Sequence, residues 1–418
     1  MPKFRAVFIS PIVPSGTGNG LAMRMGLFVE ALSRIARVDV IVVPVAGEPK
    51  DEISFLQERG VSLHWINIRG RTDTHFSLLS RIANGLARLD AFRAYGKPSI
   101  ARALSAPVLT DIARVIEICK PDLIHIGRSY LLPCIAQSPQ GIAATVDLDE
   151  DDLSSFASQA RLARLRGDLT SADWLEQEGR ACDALIARFG RNFRRAYVAS
   201  RRESLRLTQR HPGLRCEVLH NAVEIPPRKP RRDNGKTLLF IGALQYYPNS
   251  DGIIWFAQKV LPFLRAPAGG ACRLLIAGAS PPPGVVALTR HPSVTVLGRV
   301  KSVATLYQHA TLALAPLHAG GGTRIKLLEA AAHRVASVST PVAAQGSTGH
   351  RRSAAGARRG REISIRACHM ALDNAAERDR RAAQAQSSVR AHHAKERVVK
   401  GLAQSLLAAA DDAPAPTR

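Results

Sequence analysis

The chain has 418 residues, 46% hydrophobic and 22% charged, enough apolar side chain for a sizeable core and unlike a disordered, collagen-like or coiled-coil protein. At about 150 residues per domain this length sets a prior of two or three domains. Lys and Arg number 58 against 34 Asp and Glu, a net charge of +24 that favours anionic partners: nucleic acid, anionic lipid or phosphorylated substrates. The excess is largely arginine and comes with abundant alanine, which is also what a GC-rich genome yields. The longest apolar runs, such as 238–244, fall far short of the roughly 20 residues needed to cross a bilayer. The start, Met1 to Arg5 followed by a run broken at Pro11 and Pro14, is unlike a secretory signal, so a cytosolic protein is expected. Six cysteines (Cys119, Cys134, Cys182, Cys216, Cys272, Cys368) lie far apart with no CxxC. They indicate neither a disulfide framework nor a zinc site and read as small buried apolar residues.

Taken in order, residues 5–10 (RAVFIS) read as a buried strand, 11–20 as a Gly/Pro loop and 21–36 as an amphipathic helix. Strands follow at 38–45, 61–68, 122–127, 142–149 and 195–200, with helical stretches between them. Strands alternating with helices predict right-handed βαβ units and a parallel sheet. Residues 220–236, with three prolines and a basic run, read as an exposed connection. The pattern then restarts with strands at 237–244, 273–279, 294–299, 311–316 and 335–340 and helices at 251–264, 301–310 and 324–333. The fold class expected is α/β, with two doubly wound, Rossmann-like domains. Their ranges are 1–205 and 206–385, with a terminal helix at 386–412 packing back on the first domain. Residues 347–366 carry six Arg, one Glu and little apolar periodicity; from 370 the chain reads helical again.

Two loops carry chemistry. Gly16 to Gly20 sits between a strand and a helix, where glycines let backbone approach a phosphate or sugar and the helix start favours an anion. It is not G-x-G-x-x-G, and no acidic residue closes the second strand, Glu48 coming late; a nicotinamide cofactor is therefore disfavoured. A turn that simply needs small residues is the plainer reading. The second loop, Leu317 to Thr323, follows the strand 311–316 and enters a helix with Arg324, Lys326 and Glu329. Ligands of open α/β sheets lie beyond the carboxyl ends of the strands. Gly320, Gly321 and Gly322 allow close approach, Arg324 and Lys326 add charge-assisted bonds, and Glu329 is placed to accept a ribose diol. The plainer alternative is that these are solvated charges, with Glu329 paired to one of them.

These residues resemble the GT-B glycosyltransferases, specifically the retaining family 4 (group 1) and within it the Gly-Gly-Thr-Arg-Ile-Lys subgroup. The resemblance rests on 239–265, 274–281 and 312–346, and more weakly on 14–24, 121–125, Ser200 and 217–225. It implies two Rossmann-like domains facing a cleft, with acceptor bound mainly by the first and a nucleotide-sugar donor by the second, and no metal or other cofactor. Donor-binding residues would be Gly242, Gly321, Gly322, Thr323, Arg324, Lys326 and Glu329. Glu329 matches the second glutamate of the E-x7-E pattern, which binds the donor ribose; the first falls at Gly321 and is absent. The Arg and Lys that usually follow Gly242 and hold the diphosphate are absent too, and Arg324 and Lys326 are expected to replace them. His125 matches the histidine near the donor sugar and is the catalytic candidate, although a lone His at a strand end is commonly structural. Gly18, Asn19, Gly20 and Arg24 would meet the acceptor or the diphosphate. The mechanism implied is front-face displacement with retention of configuration.

The acidic run from Asp147 to Asp152 contains D-x-D, the metal-binding pattern of the other glycosyltransferase fold. That fold has one nucleotide domain, so a loop capping a helix near Leu153 is the favoured reading. The basic stretch 351–366 suits anionic headgroups or nucleic acid, but lacks aromatic interleaving and any nucleic-acid motif. A local reading-frame error is the bland explanation for it. The resulting expectation is a cytoplasmic glycosyltransferase, with peripheral association on the inner face of the membrane as a further expectation, using a UDP- or GDP-sugar and a glycan or lipid-linked acceptor. An anionic membrane surface is a candidate partner and nucleic acid is disfavoured. The alternative is a degenerate, non-catalytic GT-B protein that binds nucleotide or a protein partner; a nucleic-acid-binding protein ranks third.

Overall fold

A computed structural model describes residues 4–18, 20–46, 53–68, 71, 91, 98–228, 230–345, 355–356 and 361–412. The chain forms two compact units: Met1–Leu219 together with Val399–Arg418, and His220–Val398.

In the first unit, strands β1 (Arg5–Ser10), β2 (Arg37–Val42), β3 (Ser62–Trp65), β4 (Leu123–Gly127), β5 (Ala143–Asp149), β6 (Arg195–Val198) and β7 (Cys216–Val218) form one sheet. Its order is β3-β2-β1-β4-β5-β6-β7, with parallel pairing throughout. The continuous apolar runs arise because helices cover both faces of such a sheet. Val108, Ile112 and Ile116, one turn apart on helix Ala106–Cys119, pack on Val7, Ile9, Ile41, Ile124 and Ile126.

The second unit holds β8 (Thr237–Ile241), β9 (Arg273–Ala277), β10 (Val294–Gly298), β11 (Leu312–Ala315), β12 (Ser337–Ser339) and β13 (Ala355–Gly356). Their order is β10-β9-β8-β11-β12-β13, again parallel. Its core gathers Phe240, Ile253, Phe256, Leu274, Leu312 and Leu314. The strand order reverses between β1 and β4 in one sheet and between β8 and β11 in the other, the two places where such folds open a crevice for ligand.

Two features differ from the sequence expectation. The boundary falls at 219/220 rather than 205/206, because β7 pairs with β6 and completes the first sheet. Only the part of the terminal helix from Val399 onward belongs to the first unit, where Ser405 bonds Tyr197 (2.8 Å), Arg195 (2.9 Å) and Glu217 (2.8 Å). Residues 386–398 stay with the second unit: Val389 packs on Val223, Leu328 and Ala331, and His393 Nδ1 lies 2.7 Å from the Asn221 carbonyl. The stretch 347–366 is not featureless either. Residues 347–354 and 357–360 lie outside the described residues, but β13 pairs with β12 and helix Arg361–Asp373 begins inside the stretch. That helix sends Ala367, Cys368 and Leu372 into the core.

Candidate functional site

The second unit's loops at its strand reversal carry the predicted constellation. Gly242 follows β8 and Leu317–Thr323 follows β11. The chain ends of β8 and β9 are pressed together: a Cβ on Gly278 would stand 1.9 Å from the Gly242 carbonyl oxygen. Helix Tyr247–Lys259 starts with Pro248 in its first turn, where a missing N–H costs nothing. It presents Asn249, whose amide donates to the Ala243 carbonyl (2.8 Å) and whose oxygen accepts from Lys326 Nζ (2.7 Å). Lys326 reaches from helix Ile325–Ala332 over the Phe240 ring at 4.1 Å and ends 2.8 Å from where a Gly242 Cβ would stand. Lys326 thus brings an amine beside Gly242 from another element.

Burial, aided by the neighbouring Arg324 and opposed by Glu329, lowers the Lys326 amine to about 7. Burial raises Glu329 to about 7, against the hydrogen bond from Tyr307 and the charge of Lys326. Tyr307 Oη reaches Glu329 at 3.4 Å and the Lys326 carbonyl at 3.3 Å, and its ring stacks on His333 at 4.8 Å. Lys326 and Glu329, both partly exposed, therefore change charge close to neutral pH, as groups at functional sites often do.

Arg324 donates to the Gly321 carbonyl, and its Nε is buried with no hydrogen-bond partner among the described residues. The loop needs its glycines: Gly320 has φ +108 and Gly322 φ +70, and a Cβ on Gly320 would stand 2.6 Å from Tyr246 Oη and 2.9 Å from Arg324 Nη2. Thr323 is buried. Next to this loop His318 Nδ1 pairs with Asp251 at 2.9 Å and meets the Trp255 ring edge-on at 4.8 Å. Sequence reasoning missed Asn249, Tyr307 and the His318–Asp251 pair. The polar run after Gly242 (YYPNSD) was the one available signal for Asn249, and Tyr307 reads as an ordinary helix-face residue.

The first unit corrects two assignments. His125 is fully buried inside the sheet face, stacked on Phe28 at 4.0 Å, with Nδ1 2.8 Å from Thr145 Oγ1 and Phe8 and Tyr197 close by. Burial, then the charge of Arg24, holds it well below the usual imidazole range. It is a neutral core residue, not a catalytic one. Arg24 is 1% exposed and grips Asp147 with two bonds (3.0 and 2.8 Å) and the Leu219 carbonyl at 2.7 Å. Its guanidinium is a strut within this unit rather than an acceptor or phosphate contact. Gly18 has φ +98 with open space around its Cβ position, Gly20 starts helix Gly20–Leu32, and Asn19 lies outside the described residues.

The acidic run is neither a D-x-D metal site nor chiefly a helix cap. Arg24 takes Asp147; Arg128 takes Asp149 (3.2 Å), Glu150 (3.5 Å) and Asp152 (2.7 Å); Arg210 takes Asp151. Asp151 occupies the cap position of helix Asp152–Leu165 without a capping bond to its backbone. Asp147, Asp151 and Asp152 are buried and Asp149 and Glu150 partly so, each paired with an arginine.

Residues 235–357 match the family described as "Glycosyl transferases group 1". No curated protein sequence matches the chain. Among solved structures it is similar to the sucrose-phosphate synthase of Thermosynechococcus elongatus (14% identity, TM-score 0.67, covering 97% of this chain and 100% of the other). It is also similar to HepE of Anabaena, solved with UDP and glucose (13%, 0.63, 97% and 99%). A third is WaaG, a glycosyltransferase involved in lipopolysaccharide biosynthesis (12%, 0.60, 96% and 99%). The architecture is therefore GT-B, two Rossmann-like units with parallel sheets. With the group 1 domain over 235–357, it supports a nucleotide-sugar glycosyltransferase. Among the described residues no helix is long and apolar enough to cross a membrane.

Proposed function

We propose that the chain transfers a sugar from a UDP- or GDP-sugar to a glycan or lipid-linked acceptor, with retention of configuration and without a metal. The observation that carries this reading is Lys326, held by Asn249 over Gly242 at the strand reversal, with Arg324 and Glu329 close enough to act on its charge. As the glycosidic bond breaks, negative charge collects on the diphosphate; protonated Lys326 and Arg324 beside it lower the barrier because they are already in position. Glu329, once ionised, accepts from the ribose hydroxyls. The acceptor hydroxyl attacks the face the diphosphate leaves, which retains the anomeric configuration. HepE was solved with UDP and WaaG acts in lipopolysaccharide biosynthesis, so a uridine donor and a surface glycolipid or polysaccharide product are the favoured choices. The charge of +24 suits a protein working at an anionic membrane surface, with the association weakening as salt screens it.

A melting-temperature panel of UDP, GDP, ADP and their sugars tests this, since a ligand bound only by the folded state raises stability by RT ln(1 + [L]/Kd). One nucleotide should shift the transition, and Glu329→Ala should abolish the shift. Gly321 standing where the relatives' glutamate would be favours the second reading, a nucleotide-binding protein without transfer activity. A shift with no turnover on any glycan or lipid acceptor would select it.

A further inference from the structure

A second cluster of ligating groups lies in the first unit, away from the strand-reversal loops. Asp39 stands on β2 and His64 on the neighbouring β3, which pair in parallel with Asp39 opposite Ser62 and Ile41 opposite His64. Cys119 is the last residue of helix Ala106–Cys119, whose apolar stripe packs on the face that carries Ile41. His64 Nε2 lies 2.9 Å from Asp39 Oδ1 and 3.8 Å from Cys119 Sγ, and the three ligand atoms are all within 4.8 Å of one another. We propose that Asp39, His64 and Cys119 form a binding site for one divalent transition-metal ion of the zinc type.

The donor set is the first argument. A thiolate, an imidazole and a carboxylate are the three ligand types zinc prefers, and their summed charge of minus two balances the ion. The spacing is the second. Around a tetrahedral ion with ligands at about 2.0–2.3 Å, neighbouring ligand atoms stand about 3.3–3.6 Å apart. The observed 2.9 and 3.8 Å bracket that range, so small side-chain adjustments admit the ion.

The surroundings fit as well. The helix ends at Cys119, and a helix carboxyl terminus favours positive charge. Side-chain exposure is 31% at His64 and 14% at Asp39, which leaves a route from solvent and room for water as the fourth ligand. Zinc takes a cysteine as thiolate, so the thiol proton leaves to solvent as the sulfur–metal bond forms. Cys119 precedes β4, so the ion would sit at the amino edge of the sheet, pinning the helix end to the β2–β3 edge. Donor chemistry belongs at the opposite, carboxyl edge.

The test uses the full-length chain after chelator treatment. Zinc titration by calorimetry should give one ion per chain, with proton release and a raised melting temperature that chelator reverses. Cobalt(II) should give a thiolate-to-metal charge-transfer band. Cys119→Ser should lose the band, and His64→Gln should weaken zinc by more than about tenfold. Nucleotide shifts measured on the same samples should persist in both variants. Absence of a cobalt–thiolate band in the unmutated chain overturns the proposal, whether or not the variants fold. So does a band and affinity unchanged in Cys119→Ser, which would assign binding to other cysteines.

Discussion

Lys326→Met removes the amine and keeps a long apolar stem over Phe240. A hydrogen bond to a charged group contributes about 1.5–3 kcal/mol, so the variant should bind the donor nucleotide diphosphate roughly 10- to 150-fold more weakly. The depressed amine adds a sharper signature. With Lys326 lowered to about 7, about nine tenths of it is neutral at pH 8, and a diphosphate arriving beside it restores the ammonium. Calorimetry at pH 8 in buffers of different ionisation enthalpy should show close to one proton taken up per nucleotide, vanishing in Lys326→Met. Stability should move the other way. Between about pH 7 and 10.5 the unfolded chain holds a proton that the folded chain lacks, so this group's contribution to stability rises with pH across that window. Below pH 7 the fold bears the full cost of the buried ammonium. At pH 6, with Glu329 protonated on both sides of the comparison, Lys326→Met should melt no lower than the unmutated chain. Equal nucleotide affinity in the variant, or no proton uptake by the unmutated chain, would refute the argument.

Gly320→Ala places a methyl 2.6 Å from Tyr246 Oη in a left-handed backbone that costs a side chain about 1–2 kcal/mol, so it should lose nucleotide affinity with the fold retained by circular dichroism. Asp147→Asn removes the charge that Arg24 grips with two bonds, leaving Asp149 at 3.6 Å, and should destabilise the first unit by about 1.5–3 kcal/mol in urea unfolding, with the second unit's nucleotide shift preserved. His125→Leu, replacing a neutral core ring, should cost about 1 kcal/mol for the orphaned Thr145 hydroxyl and leave kcat and its pH profile between 5 and 8 unchanged. A turnover loss of a hundredfold or more with the melting temperature held would return His125 to the catalytic site.

The alternation of apolar strands with helical stretches made both sheets legible, because residues such as Val7, Ile9 and Ile124 must be buried on a face covered by helices. Boundaries were less legible. β7 is three residues long and half-buried, and only its pairing with β6 makes it a strand. Gly320, Lys326 and Glu329 could be read from the sequence because a glycine loop after a strand and charges one helical turn apart are local patterns. Asn249 and Tyr307 could not, since each becomes a site residue by reaching across from another element. Arg24 and His125 misled for the same reason: their type and position suit ligand contact, but their partners, Asp147 and Phe28, are fixed only when β1, β4 and β5 lie side by side.

The same long-range pairing bears on the charge. Asp147, Asp149, Glu150, Asp151 and Asp152 look in sequence like an acidic surface loop that would offset the arginines around it. In the fold Arg24, Arg128 and Arg210 pair with all five, three guanidiniums against five carboxylates. Drawing this cluster inward leaves the net charge unchanged but takes more acids than arginines out of the solvent-facing set. Arg161, Arg166, Arg191, Arg201 and Arg202 remain exposed on the same unit. The field an anionic partner meets is thus somewhat more positive than the local sequence composition suggests, an addition to the arginine excess of the whole chain that comes from where the carboxylates went.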